Sequence, residues 1–376
     1  MLDVSNTEIH HGKLFCLFTV DEETTMAGAN EFDPKQLNSD AKYLVNVDSE
    51  DGPILCLGCA GGADVSITAP VLTEDVNAEG WTVLSLEIGG FLGGHTGVQI
   101  HMGHCNALKA LARCIARSSK SARLMSFLGG RFANAIPSAG TAEVALKTCQ
   151  VEEFIKTVTN QFEILREEYK TIEPAKSIFL KVTTQPRPAD LQQLKVPTED
   201  CSRKLLLFWV NAASHPLRMS PDMAGFVESS ACFSIADMKR GAPLAEFRGM
   251  ARTSRDTAWN EIELLMEASA HLVNGSLKMD GYYPGWLPEP DSNLARVSIA
   301  AHEKAVGSKC QVLSVHAGLE CGIIMKRAAD VSKMSLQAVS IGPIIQSPHS
   351  TQERCLLSSV NDFWTWTIAI LQDLKQ

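Results

Sequence analysis

Four short apolar runs constrain this chain most: "KLFCLFTV" (13–20), "KYLVNV" (42–47), "QVLSV" (311–315) and "LQAVSIGPII" (336–345). Each is apolar on both faces, the pattern of strands buried in a parallel sheet between helices. Asp21, Glu22 and Glu23 follow the first run, Asp48 the second, His316 the third and, after a short loop, His349 the fourth. One acidic cluster after a strand is ordinarily a solvated turn. In an open α/β sheet, however, functional groups collect at the carboxyl ends of the strands. Four strands that deliver a carboxylate or an imidazole to one edge therefore predict a metal site.

Bulk properties narrow the setting. The 376 residues suffice for two domains. A net charge of -9 argues against a nucleic-acid partner, which requires a basic face. No uninterrupted apolar stretch is long enough to span a bilayer, so no membrane partner is expected. The start, "MLDVSNTEIHHGK", has neither the basic beginning nor the apolar core of a signal peptide. The expected location is cytoplasmic. Eleven cysteines, most of them inside apolar runs, read as buried thiols in a reducing compartment. Cys56 and Cys59 form one C-x-x-C, but a structural zinc site requires a second pair at suitable spacing. A redox pair is the alternative that remains open for them.

Helical spacing marks 106–118, 151–172, 256–275 and 358–375, the third closing on Asn274-Gly275. From about residue 64 to 283 the texture changes. Alternating runs such as "DVSITAPVL" and "TVLSLEI" predict antiparallel strands with one solvated face. The expected architecture is α/β: a discontinuous domain of residues 1–63 and 284–376, mostly parallel sheet flanked by helices, with an α+β lid domain of residues 64–283 inserted between them.

Adjacent carboxylates at an irregular strand end permit a division of labour, one binding a metal while its neighbour stays free as a general base. "TVDEETTMAGA", "YLVNVDSED", "GCAGGADVSITAP", "GGHTGVQIH", "NAIP", "YPGW", "HAGLECG" and "SIGP…HS…E" occur in that order. Together they resemble the aminoacylhistidine dipeptidases, also called Xaa-His or cytosol non-specific dipeptidases. These are dinuclear zinc hydrolases related to carboxypeptidase G and acetylornithine deacetylase. The resemblance implies hydrolysis of dipeptides such as β-alanyl-histidine by a metal-activated water. It implies Zn2+, two ions in the complete family site, with Co2+ or Mn2+ as substitutes. Small peptides are the expected partners, and a homodimer is compatible with the pattern.

Residue by residue, the resemblance makes Glu22 the general base, Glu23 a ligand of one metal and Asp48 a ligand of the other. His349 completes the Glu23 site. His95 of "GGHTG" resembles the lid histidine that stabilises the oxyanion. Asn134 of "NAIP" and Arg248 of "FRG" resemble groups that hold the substrate carboxylate, and Glu320 of "HAGLECG" one that meets the substrate amine. His95, His101 and His104 also allow a zinc cluster of their own, although the flanking glycines suggest a loop that presents His95 alone. The family carries a further His-x-Asp motif and a bridging aspartate ahead of the Asp-Glu-Glu run, and Met1 stands shortly before Lys13 here. The expectation is weak activity for this chain by itself, and the alternative is a non-catalytic relative that binds peptides or a partner subunit.

Overall fold

The computed structural model describes residues 9–22, 25–37, 39–174, 176–186, 192–348 and 351–374. Glu23 and His349 lie outside them. The described residues begin with a segment in neither helix nor strand (9–22), followed by the short helix α1 (Ala27–Glu31) and strands β1 (Tyr43–Asn46) and β2 (Ile54–Cys59). There follow β3 (Gly61–Pro70), β4 (Thr73–Asn77), β5 (Trp81–Gly89) and β6 (Gly94–His95). Helix α2 (Ala107–Ser118) leads to β7 (Arg123–Gly129), β8 (Ala135–Ile136) and β9 (Gly140–Lys147). Helix α3 (Val151–Glu168) precedes β10 (Phe179–Thr184) and β11 (Gln193–Pro197). Helix α4 (Glu199–Asn211) precedes β12 (Ser214–Met219), β13 (Val227–Met238) and β14 (Leu244–Thr253). Helix α5 (Trp259–Leu272), β15 (Ser276–Tyr283), α6 (Asn293–Val306), β16 (Gln311–Val315), α7 (Glu320–Ser332) and β17 (Gln337–Ser340) continue the chain. It closes with β18 (Ile345–Gln346), β19 (Arg354–Cys355) and α8 (Leu357–Asp373).

Two sheets dominate. The smaller has the order β1-β17-β2-β16, so it takes strands from both ends of the chain. The larger has the order β10-β5-β9-β7-β13-β14-β3-β15, with β12 paired to β13. All of its strands come from residues 61–283, and all its pairs are antiparallel. Helices α2 and α4 begin at side-chain caps: Asn106 accepts from the N–H groups of Leu108 and Lys109, and Thr198 from that of Cys201. Their apolar faces bury Leu108, Leu111, Ile115, Leu205 and Trp209 against the sheet. Phe208 fills the centre, stacked on Phe247 at 4.5 Å and edge-on to Phe233 at 5.1 Å.

The smaller sheet is covered on both faces. Leu55, Leu57, Val339 and Ile341 pack against Leu294 and Ala301 of α6 and Trp366 and Ile370 of α8. Cys56, Cys59 and Ala338 pack against Cys321 of α7 and Trp286. Burial raises the Cys56 thiol to about 11 and the Cys59 thiol to about 12, so both are protonated at ordinary pH.

The small sheet is mostly parallel, as expected: β1 with β17 and β2 with β16 are parallel, and β17 meets β2 antiparallel only through Ser340 and Cys56. The first apolar run needs correction. Residues 13–20 form no strand. Leu17 packs on Ala29, Phe32, Ile323 and Ile324, whereas Phe18 is 90% exposed. An apolar run becomes a strand only beside a neighbouring strand, and no ladder forms along this one.

The chain passes between the sheets twice, outward at Ala60 and back at 284–285. The two passages are bonded to each other: Cys59 and Trp286 exchange both backbone hydrogen bonds at 2.9 Å. Side chains are excluded there. A Cβ on Gly61 would lie 2.5 Å from the Gly285 nitrogen, and one on Gly285 2.8 Å from the Thr253 oxygen. These neighbours are backbone atoms with nowhere to move. Gly61→Ala is therefore expected to cost ~1–3 kcal/mol by overpacking. Gly80→Ala, where a Cβ meets nothing within 4 Å, should change the urea midpoint little. Equal midpoints for the two variants would show that the crossing is not tightly packed.

Candidate functional site

The segment His316–Glu320, which leads from β16 into α7, meets Ser230 at one end and Thr19 at the other and includes the candidate Glu320. At its far end Glu320 starts α7 with its side chain buried. The Thr19 hydroxyl donates to Glu320 Oε2 at 2.9 Å. The second oxygen, Oε1, is buried and has no hydrogen-bond partner among the described residues. Burial raises the Glu320 pKa, the Thr19 hydrogen bond opposes this, and the charge of Asp48 adds to the rise. Glu320 thus stands within the field of Asp48 and in contact with Thr19, just ahead of the acidic turn.

That turn is tight. Asp21 has φ 61°, and its carbonyl accepts from Met26 at 2.8 Å. Glu22 is half-buried in it. Asp48 is exposed beyond β1, with its N–H donated to Asn46 Oδ1 at 3.1 Å. Asn46 in turn accepts from Ser340 at 2.6 Å. The chain after β17 runs beside this turn, Ile345 N–H meeting the Glu50 carbonyl at 2.8 Å.

At the near end of the segment lies the loop that carries His95. Nδ1 of His95 accepts from the N–H groups of Gly97 and Val98 at 3.1 and 3.2 Å. The proton of the neutral ring therefore sits on Nε2, which makes that nitrogen a donor. Strand β6 pairs with β8, and Thr96 N–H reaches the Asn134 carbonyl at 2.9 Å, so the expected His95 and Asn134 are neighbours. Glu173, buried, accepts from Leu92 N–H and Cys105 N–H, both at 2.8 Å, and so pins both ends of the loop. His104 is spent on the Gly93 carbonyl, and among the described residues no three His, Cys, Asp or Glu side chains could hold a metal ion. A zinc cluster of His95, His101 and His104 is thereby set aside.

Arg248 is exposed on β14, opposite Ser66. Two repeats of the strand pattern further on, Arg252 lies on the same face but is only 4% exposed. It donates from Nη1 to the Tyr283 hydroxyl at 2.7 Å and from Nη2 to Met250 Sδ at 3.4 Å. Its Nε has no partner, and no carboxylate lies within salt-bridge distance of the group among the described residues. An unpaired buried guanidinium is costly and is a ready seat for an anion. Directly opposite it on β13 is Ser230, whose Oγ lies 2.7 Å from His316 Nε2. Burial, then the positive charge of Arg252, lowers the His316 pKa to about 3, so its ring is neutral at ordinary pH.

Sequence reading passed over Arg252, Ser230, Tyr283, Thr19 and Glu173. Arg252 had a usable signal, since it shares a strand face with Arg248 and lies nearer the "YPGW" return. The others are recognisable only from contacts between distant segments.

No protein-family model matches the chain. It is 29% identical over 374 residues to the cytosol non-specific dipeptidase of Escherichia coli (strain K12), covering 99% of this chain and 73% of that protein. Its fold is similar to the crystal structure of aminoacylhistidine dipeptidase from Vibrio alginolyticus, with a TM-score of 0.82 and 28% identity over 94% of this chain and 69% of that one. The resemblance carried by the eight motifs thus extends along essentially the whole chain, and the α/β architecture is that of the Vibrio enzyme.

The neutral His316 makes stability depend on pH with a definite sign. Its folded pKa lies below the unfolded one, so the unfolded chain binds more protons between about 3 and 6.5. The stabilisation is full above that window and is lost as pH falls through it, with a slope of up to ~1.4 kcal/mol per pH unit. Urea titrations at several pH values should show His316→Gln with a flatter acid limb than the parent. Parallel limbs would mean that the buried ring does not titrate in this window.

Proposed function

We propose that this chain is a metal-dependent dipeptidase of the cytosol. The observation that carries the reading is Arg252, a buried cation with no carboxylate within salt-bridge distance among the described residues, directly opposite the Ser230 that meets His316. A free dipeptide carries complementary groups: a carboxylate for Arg252 and an ammonium for the unpartnered oxygen of Glu320. Both relatives named above are dipeptidases, which supports hydrolysis over a purely peptide-binding role. The eleven cysteines are compatible with a reducing cytosol, and those described are free. Residues 1–63 with 284–376 would form the metal-bearing unit and 64–283 the lid.

In this reading Arg252, rather than the exposed Arg248, takes the substrate carboxylate, with Asn134 beside the His95 loop. Glu22 accepts a proton from the attacking water while the water oxygen bonds to the scissile carbonyl carbon. His95 donates its Nε2–H to the oxygen on which negative charge develops. Glu22 then returns the proton to the leaving nitrogen as the C–N bond breaks. Glu23, Asp48 and His349, two carboxylates and an imidazole, are the proposed metal ligands. Their donor types suit Zn2+, with Co2+ or Mn2+ as substitutes. A divalent ion bound there would acidify water and polarise the carbonyl. The substrate class is Xaa-His dipeptides such as β-alanyl-histidine.

Turnover of dipeptides by the purified chain, with metal content measured in parallel, tests the assignment. Glu22→Gln should lower kcat by ~10²–10⁴-fold and keep its metal. His95→Ala should lower kcat by ~10²–10³-fold and also keep its metal. Loss of metal from His95→Ala would make it a ligand instead, and a near-parental Glu22→Gln would remove its role as base.

Arg252→Met should weaken kcat/KM for dipeptides by the ~1.5–3 kcal/mol of a charged hydrogen bond. The same change should leave the already poor turnover of the corresponding dipeptide amides unaltered. If Arg248→Ala has the larger effect on free dipeptides, the assignment reverts to Arg248.

A further inference from the structure

We propose that His316 is a positioning residue that fixes where His95 stands relative to the groups on the smaller sheet. The inference rests on the dipeptidase reading for its catalytic consequence, but its structural content is independent of it. His316 follows β16, the edge strand of the smaller sheet, and is 5% exposed. Its side chain and its backbone each hold a different part of the inserted unit.

The ring reaches Ser230 on β13 of the larger sheet. The Oγ–Nε2 distance of 2.7 Å joins side chains 86 residues apart, and Ser230 is 1% exposed. The Phe226 ring stands edge-on to the imidazole, with centroids 6.2 Å apart. The partner strand places Arg252 directly opposite Ser230. One hydrogen bond thus ties the smaller sheet to the cross-strand pair that contains the proposed carboxylate seat.

The backbone of the same residue seats the catalytic loop. A Cβ on Gly97 would lie 2.2 Å from the His316 carbonyl oxygen. Gly97 is also one of the two residues whose N–H groups hold His95 Nδ1. The loop therefore rests on His316 at the point that orients the His95 ring. Four residues along, the same segment ends in Glu320. Moving His316 shifts the oxyanion donor against the amine-binding carboxylate, and a shift of ~1 Å between such groups costs on the order of 10²-fold in rate.

Three variants separate positioning from simple stability. Ser230→Ala removes the bond with almost no change of volume. His316→Phe keeps a ring but removes the nitrogen. His316→Gln places an amide near the position of Nε2 and should preserve the bond. Cys149 and Cys355 are exposed, one following the larger sheet's β9 and one on β19 beside the smaller sheet. In a Cys16→Ser/Cys310→Ser background they accept spin labels whose separation pulsed electron paramagnetic resonance can measure.

The parent and His316→Gln should give one narrow distance distribution, and Ser230→Ala and His316→Phe a broadened or shifted one. On dipeptides the latter two should lose roughly 10- to 100-fold in kcat with KM changed less than about threefold. His316→Gln should stay near the parent. Unchanged distance distributions in both Ser230→Ala and His316→Phe overturn the proposal. So does a changed distribution with parental kcat, which would make the bond merely structural. A parent inactive on every dipeptide would count against the dipeptidase reading, and the distance comparison would then decide the tie between the sheets by itself.

Discussion

The structure depends on a crossing where side chains are forbidden. Cys59–Gly61 leaves the smaller sheet beside Tyr283–Trp286 returning to it, and the two passages bond to each other through Cys59 and Trp286. Because Gly61 and Gly285 bring backbone against backbone, the first residues of β3 and the last residues of β14 and β15 converge at this point. Arg252 sits at the end of β14 and Tyr283 at the end of β15. The candidate carboxylate seat is thus a direct product of how the two sheets are joined. The motifs "GCAGG" and "YPGW" acquire a physical reason: they are the two halves of this crossing.

The charges around the junction are arranged to be unequal. Arg252 is buried with no carboxylate within salt-bridge distance among the described residues, although its charge reaches Asp64; His316 is held neutral by burial and by that arginine, and Glu320 has one oxygen engaged and one idle. Each departs from what a side chain seeking only stability would do, since buried polar groups are normally satisfied. Buried acids of the inserted unit do have partners: Glu228 lies within ion-pair distance of Arg218 and Arg255, and Glu173 accepts from two backbone N–H groups.

Much of this was legible in the sequence. The run 311–315 is β16 residue for residue, and the four helical segments occur with ends displaced by a few residues at most. Asn274 adopts φ 51° at the close of α5, as its Asn-Gly pair suggested. Local patterns carried these because they report on local conformation. The run 13–20 misled because apolar composition specifies burial, and a strand also requires a neighbour. The burial of Arg252 rather than Arg248 was illegible for a related reason. Residues four apart on a strand share a face, so only the tertiary packing decides which is covered. The Ser230–His316 bond and the Glu173 clamp had no local signature at all, since each joins segments more than sixty residues apart.

The layout of the smaller sheet also dictates an order of assembly. Strand β2 ends at residue 59 and its parallel partner β16 begins at residue 311. Closing that span as an unstructured loop would cost on the order of 5 kcal/mol in chain entropy, against a ladder of only a few pairs. Once residues 61–283 have folded, their two ends are already held together by the Cys59–Trp286 pair, and the effective loop shrinks to the short stretch before β16. The inserted unit is therefore the template on which the smaller sheet closes. During synthesis β1 and β2 leave the ribosome before the inserted unit and wait for β16 and β17, with their apolar faces open to chaperones meanwhile.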